Sequence, residues 1–438
     1  MIPAASPPFP STAQFSDGRL MRIGGCDVDD LAAQHGTPLW VLDGADLRAR
    51  LRAYREAFAG HDVYYATKAN SVLGVLRLAL DEGCDLDVAS LGELAAARAA
   101  GATGERLILH GNNKSDAELD AAVAAGVHRI VVDDHDEVAR LDERGVARGE
   151  PIDVWVRATP GVSAGYHAAV RTGTDDQKFG LSIRAGMADA AIDAVVGAAG
   201  VRLRGLHCHV GSGVLDPTAF EPVVDAMVGL LAGVRDRHGI ELGELDLGGG
   251  LGIAETGGHE PSVASYAEAL RSAVQARCTE HGLPMPRLAV EPGRSLVGPS
   301  GVTLYQVGSV KTVPGVRTFI AVDGGMSDNP RHALYGAAHP FLLAGPAAVA
   351  APGDEPVTVV GKHCESGDVL ARDVVLGATP RPGGLMASGA AGAYTHAMAS
   401  TYNRLPRPAM VLAEDGDARL LVRRESIEDL LALDVPPA

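Results

Sequence analysis

"DVYYATKANSVLGVLRLALDEGCDLDVAS", residues 62–90, decides the fold. It opens on a short aromatic and β-branched run (62–68). Leucines and valines then recur every three or four positions (71–83), and a second short apolar run follows (85–90). The outer runs read as strands and the middle as an amphipathic helix. Two strands joined by a helical crossover lie parallel, since the crossover returns the chain to the same end of the sheet.

The unit repeats outward in both directions. "PLWVLD" (38–43) leads into the helical "GADLRARLRAYREAFAG" (44–60), ended by Gly60. "RLILHG" (106–111) leads into "SDAELDAAVAAG" (115–126), and "RIVVDD" (129–134) into "HDEVARLDERG" (135–145). "IDVWVRATP" (152–160) comes next. "RLRGLHCHVG" (202–211) precedes "PTAFEPVVDAMVGLLAGVRDRHG" (217–239), "ELDLGGG" (244–250) precedes a helical stretch at 262–281, and "RLAVEPGRSLV" (287–297) closes the series. So many βα units before about residue 300 favour a closed (β/α)8 TIM-type barrel over an open sheet. After "GPSG" (298–301) short strands such as "VTLYQVGSVKTV" (302–313) and "ARLLVRRES" (418–426) alternate with Gly/Pro turns. That texture predicts a second, mostly antiparallel β-barrel or sandwich domain. The expected division is an N-terminal tail and strands at 1–37 joining the β domain, the barrel at 38–299 and the β domain at 300–438.

Composition narrows the function classes. The chain has 438 residues, 46% hydrophobic and 21% charged, as a soluble globular protein of two domains would. A net charge of −17 argues against a nucleic-acid surface. Five cysteines without CxxC spacing fit neither a disulfide framework nor a zinc ribbon, and suit a reducing cytoplasm. The Pro/Ser-rich start "MIPAASPPFPSTAQF" reads as a loose tail, not a signal peptide. No apolar run reads as long enough to span a bilayer.

Function in such a barrel sits at the C-terminal ends of the strands. The polar residues there are Lys68, Asp87, His110, Arg157, His207, His209, Gly248-Gly249-Gly250 and Glu291-Pro292-Gly293-Arg294. Lys68 is a solvated strand end or, if partly desolvated, a Schiff-base amine. The glycine turn is a tight turn or a phosphate cradle of bare N–H groups, with Ser212 as a neighbouring hydroxyl. His207 and His209 are packed or stacking imidazoles, or two of a zinc's ligands with no third in view. Glu291 forms a surface salt bridge or keeps a pyridine nitrogen protonated, and Arg294 can clamp an anion. Amine, cradle, imidazole and carboxylate together describe a pyridoxal 5′-phosphate (PLP) site. In the β domain, Cys364 beside Glu365 is an inert thiol or a proton donor.

The ordered blocks "YYATKAN" (64–70), "LDVASLGEL" (86–94), "HGNNKSDAEL" (110–119), "DQKFGLS" (176–182), "GLHCHVGS" (205–212), "LDLGGGLGI" (245–253), "EPGRSLVGP" (291–299), "GGMSDNPRHALYGA" (324–337), "GKHCESGD" (361–368) and "GAYTHAMASTYNRLPRP" (392–408) cover nearly the whole chain. Through them the chain resembles the fold type III, alanine-racemase-like PLP decarboxylases, and among them the diaminopimelate decarboxylases. The resemblance implies Lys68 as the PLP-bearing lysine, with His209 stacked on the ring. It places Ser212, Gly249, Gly250, Pro292, Gly293, Arg294 and Tyr394 about the cofactor, and Glu291 on the ring nitrogen. Cys364 becomes the proton donor. Arg294, Arg331, Tyr335, Glu365 and Tyr394 become substrate contacts, and Asp87 and Arg157 lie near the imine. It further implies a homodimer in which Cys364 and Glu365 come from the partner subunit, and decarboxylation of meso-2,6-diaminopimelate to L-lysine. Departures from the family pattern fall at Tyr166-His167, His332 and Thr395-His396. They leave room for another amino acid: ornithine, arginine, a D-amino acid or a carrier-bound substrate. A racemase would need a tyrosine base in place of the Cys364-Glu365 pair. A non-catalytic PLP-binding relative would be expected to lack Lys68 or Cys364.

Overall fold

The computed structural model describes residues 8–162, 175–253, 260–346, 349–353 and 355–435. These form two compact units. One covers Leu51–Gly252 and Glu260–Ser295; the other holds the described chain up to Arg50, Ile253, and the described chain from Leu296.

In the first unit eight parallel strands close into a barrel: β1 (Asp62–Ala66), β2 (Asp85–Val88), β3 (Leu107–Leu109), β4 (Arg129–Val132), β5 (Ile152–Thr159), β6 (Val201–His207), β7 (Glu244–Asp246) and β8 (Arg287–Val290). Neighbours pair in chain order, and Ala289 of β8 pairs with Asp62 of β1 to shut the ring. This is the expected (β/α)8 architecture. Local chemistry sets the helix limits. The Ser115 hydroxyl accepts from the Glu118 N–H while the Glu118 carboxylate accepts from the Ser115 N–H, a reciprocal cap that starts helix Asp116–Ala125. Gly126, at φ +67°, takes the left-handed turn that ends it. Pro217–His238 is long and apolar enough to pass for a membrane span, contrary to the sequence expectation. Half of it is buried in the protein, with Val224, Met227, Val228 and Val234 fully enclosed, as in the core helix of a barrel.

The N-terminal ends of the strands are closed by charge. Arg129 is buried and grips Glu244 through Nε (2.8 Å) and Nη2 (2.6 Å), while Trp155 Nε1 donates to the same carboxylate at 2.7 Å. Trp155 in turn packs edge-on against Tyr64 within an apolar layer of Ile108, Val131 and Ala289. Removing one partner strands the other's charge in a half-dry site. Arg129→Met is expected to cost about 3 kcal/mol of barrel stability. Arg129→Met/Glu244→Gln should cost less than the single change, both read from urea midpoints.

The second unit is a mostly antiparallel sheet built around Gly301–Val313. That long strand pairs with Leu39–Asp43, Leu385–Ser388 and Arg317–Val322. Its first half packs Val302 and Leu304 with Leu20, Ile23 and Val411, and the rest sets Tyr305 and Val307 against Ile320, Val359 and Met386. Strands Gln14–Ser16 and Arg19–Ile23 belong to this sheet. So does Leu39–Asp43, which runs parallel to Ala409–Glu414. The sequence division put "PLWVLD" in the barrel because a helix follows it. The pairing instead gives it to the β unit, so the barrel's first strand is the one that leads to Lys68.

Candidate active site

β1 ends in a single 3₁₀ turn, Thr67–Ala69, held by Tyr65 Oη donating to Asn70 O at 2.9 Å. Lys68 sits on that turn, exposed, between buried Thr67 and Ala69. The strand's last residue, Ala66, donates its N–H to Pro292 O at 3.1 Å, so the lysine turn is tied to the "EPGR" turn after β8.

Beside it, buried groups from four other strand ends converge on Glu291. His110 Nε2, after β3, comes within 2.6 Å of Glu291 Oε1; His207 Nε2, from β6, lies 3.4 Å from the same oxygen. Both approaches are close but poorly aligned for hydrogen bonds, so an Oε1 lone pair stays open to a further donor. Asp87, near the end of β2, is 3.8 Å from His110, and burial pushes its pKa up to about 6. Asp246, at the end of β7, accepts from the Gly248 N–H at 2.7 Å. Burial and the Glu291 charge push Asp246 well above the usual carboxylate range. Burial would raise Glu291 too, but the two imidazoles overcome it and hold its carboxyl well below that range.

The glycine turn packs hard against its neighbours. A Cβ on Gly249 would stand 2.3 Å from Glu291 O, and one on Gly248 2.5 Å from Cys208 O. The Gly249 N–H donates to His209 Nδ1 at 3.2 Å, which fixes that imidazole's orientation and leaves Nδ1 as an acceptor. Burial, with Lys68 and Arg157 nearby, pushes His209 well below its ordinary pKa, so its ring is neutral. Two turn N–H groups, Gly248 and Gly249, therefore serve Asp246 and His209; Gly250 O accepts from the Val214 N–H at 2.9 Å. Arg294 Nε donates to Ser212 Oγ at 3.2 Å, so guanidinium and hydroxyl form one polar pair at the next strand end. Arg157 lies 3.6 Å from Asp133 with its guanidinium 4.7 Å above the Phe179 ring.

In sequence, His207 and His209 could pair on a zinc only with a third ligand, and none was in view. The structure turns them apart: His207 faces Glu291 and His209 faces Gly249. His110, His207 and Glu291 do place three donor atoms within 4.8 Å of one another. Two ligands of one tetrahedral zinc would stand about 3.4 Å apart, so the 2.6 Å contact is nitrogen touching oxygen.

In the β unit, Arg331 is buried at the start of a short helix, with its guanidinium 6.0 Å from the Tyr394 ring. Tyr394 has φ +59°, a left-handed conformation that strains a residue with a Cβ. Tyr335 stands at the end of the same helix and is exposed. Cys364 is the one exposed cysteine of five, and its N–H donates to Asn403 Oδ1 at 3.0 Å. Glu365 is exposed and lies 3.5 Å from Tyr402 Oη. Beneath this loop Asp368 accepts from the N–H groups of Met326 (2.7 Å) and His363 (2.8 Å), and from His363 Nδ1 (2.9 Å). His332 Nδ1 donates to Ala337 O at 3.1 Å. Thr395 donates to Ala391 O at 2.5 Å, and His396 packs edge-on against Trp40. These contacts account for three of the departures as local fold. Tyr166 and His167 lie outside the described residues.

Sequence reasoning singled out Lys68, His209 and Glu291, which lie at the ends of barrel strands, but missed the close approach of His110 to Glu291 and the part of Asp246. The acid before the glycine turn, "LDLGGG", was the available signal for Asp246.

The barrel mouth fits a pyridoxal phosphate on its own terms. It offers an exposed amine, a neutral imidazole of fixed orientation, an Arg–Ser pair suited to a phosphate, and a buried ionised carboxylate with an open lone pair. Comparison with known proteins agrees. The family model described as "Pyridoxal-dependent decarboxylase, pyridoxal binding domain" matches residues 44–298. Diaminopimelate decarboxylase of Actinosynnema pretiosum subsp. auranticum is 47% identical over 98% of this chain and 95% of its own length. That of Bacillus subtilis (strain 168) is 43% identical over 97% of each. Among solved structures, diaminopimelate decarboxylase from M. jannaschii in complex with L-lysine aligns with TM-score 0.90 and 32% identity over 98% of each chain. With relatives of that identity along nearly its whole length and that barrel architecture, the chain belongs to the diaminopimelate decarboxylases, a family of pyridoxal-dependent decarboxylases.

Proposed function

We infer that the chain converts meso-diaminopimelate to L-lysine and CO2, with pyridoxal 5′-phosphate as cofactor. The observation that carries the reading is Glu291: a buried, ionised carboxylate with an open lone pair, held beside the Lys68 turn. When bound, the cofactor supplies an electron-accepting ring. Glu291 Oε1 would hold the proton on its ring nitrogen. Lys68 Nζ would anchor it, His209 would lie along the ring, and Arg294 with Ser212 would bind the phosphate, joined by the Gly249-Gly250 turn and Pro292-Gly293. Asp87 and Arg157 would flank the amine end. The substrate loses the bond from its α-carbon to one carboxylate, CO2 departs, and a proton takes its place.

Cys364 Sγ is the proposed source of that proton. We assign Arg331 to the distal carboxylate of the substrate and Glu365 to its distal ammonium, with Tyr335 and Tyr394 beside them. A purely cationic tail, as in ornithine or arginine, would gain nothing from a buried arginine. The exposure of Cys364, Glu365 and Tyr335 supports a homodimer in which a second copy presents this loop, and five unpaired thiols suit a reducing cytoplasm.

The test is CO2 release by the PLP-loaded protein. Diaminopimelate should be turned over, while ornithine, arginine and D-lysine should fall at least about a hundredfold lower in kcat/KM. Turnover of one of the others in its place would move the substrate assignment and leave the cofactor site standing. A protein that bound PLP and turned over none of them would be a non-catalytic relative.

A further inference from the structure

We propose that His110 and His207 are positioning residues for the Glu291 carboxylate, His110 being the principal one. Their imidazoles arrive from two different strand ends, β3 and β6, and reach the same oxygen at 2.6 and 3.4 Å. The rings stand 4.7 Å apart at 60°, so their nitrogens converge instead of stacking. All three side chains are less than a tenth exposed. Neither Nε2 has a well-aligned acceptor elsewhere among the described residues.

The surroundings explain why Glu291 needs such a grip. Asp87 and Asp246 crowd the same dry space, and three carboxylates there cannot all stay ionised. The imidazoles favour the ionised form of Glu291. Glu291 is held low, while burial pushes Asp87 up to about 6 and Asp246 well above its ordinary range. Burial also pushes His207 down to about 3, so at neutral pH it is uncharged and offers only an N–H dipole. The shorter contact, from His110, is therefore the one to test first.

The inference rests on Glu291 being the ring-nitrogen carboxylate, and the experiment separates the two. The full chain, freed of PLP, is titrated with PLP for its Kd as wild type, His110→Phe, His110→Gln, Glu291→Gln and His110→Phe/Glu291→Gln. Thermal melting confirms folding. His110→Phe should weaken PLP binding on the order of tenfold, because the buried carboxylate loses its nearest partner. His110→Gln, which keeps a side-chain N–H, should restore most of that. In the Glu291→Gln background the effect of His110→Phe should shrink to within about twofold. Equal weakening in both backgrounds, or none in the wild type, overturns the proposal. If Glu291→Gln itself leaves PLP affinity and spectrum unchanged, the reading of Glu291 fails instead. If His110→Phe does not fold, His207→Leu taken through the same cycle decides, with a smaller loss expected and the same dependence on Glu291.

Discussion

Lys68→Ala is expected to lower the rate of CO2 release by about a thousandfold or more, the scale on which a covalent anchor is lost. The chain has five lysines, at 68, 114, 178, 311 and 362. Three lie in the barrel unit, and two of those are committed elsewhere. Lys114 is buried, with Nζ donating to Glu137 (2.7 and 3.0 Å), Gly111 O (2.8 Å) and Val131 O (2.7 Å). Lys178 lies 4.8 Å from the Phe179 ring centroid. Lys68 stands at the end of β1 on a turn fixed by Tyr65 and tied to Pro292. Borohydride reduction of the PLP-loaded protein, followed by peptide mapping, should place the adduct on Lys68. An adduct on another lysine, or full turnover by Lys68→Ala, would remove the assignment.

Glu291→Gln should lower kcat by about a hundredfold while leaving the fold intact. The amide matches the carboxylate in volume and leaves His110 and His207 their neighbour, so packing changes little. What disappears is the negative charge that favours a proton on the cofactor's ring nitrogen. The loss should therefore fall on kcat more than on KM. Steady-state kinetics read against thermal melting separate this from misfolding, and a kcat within about twofold of wild type would show that Glu291 does another task.

Periodicity along the chain made the barrel legible. Each strand–helix unit carries its own alternation of short apolar runs and 3.6-residue stripes, and its caps, such as Ser115 with Glu118, are local. The strand ends were legible as well, since barrel topology says which end bears chemistry before any pairing is known. The same local reading misplaced Leu39–Asp43. A strand followed by a helix looks like a βα unit whichever sheet it joins, and only its pairing with Gly301–Val313 and Ala409–Glu414 separates the cases. It also read no run as long enough to cross a bilayer, and the apolar length of Pro217–His238 marks a core helix only once its neighbours are in place.

By itself, then, the sequence determined the eight-fold alternation, the second β unit and the residue types at the barrel mouth, because these are set by periods and neighbours along the chain. Tertiary structure decided which of those groups meet. His110, His207, Asp246 and Glu291 leave four different strands, and nothing between them in sequence tells that the first two reach one oxygen of the last. Barrel closure brings those strand ends to within bonding distance, and the two imidazoles then hold Glu291 ionised against its burial. The HxH spacing left packed, stacking and metal-binding readings open; the space around Glu291 turned one histidine inward and left the other to the glycine turn.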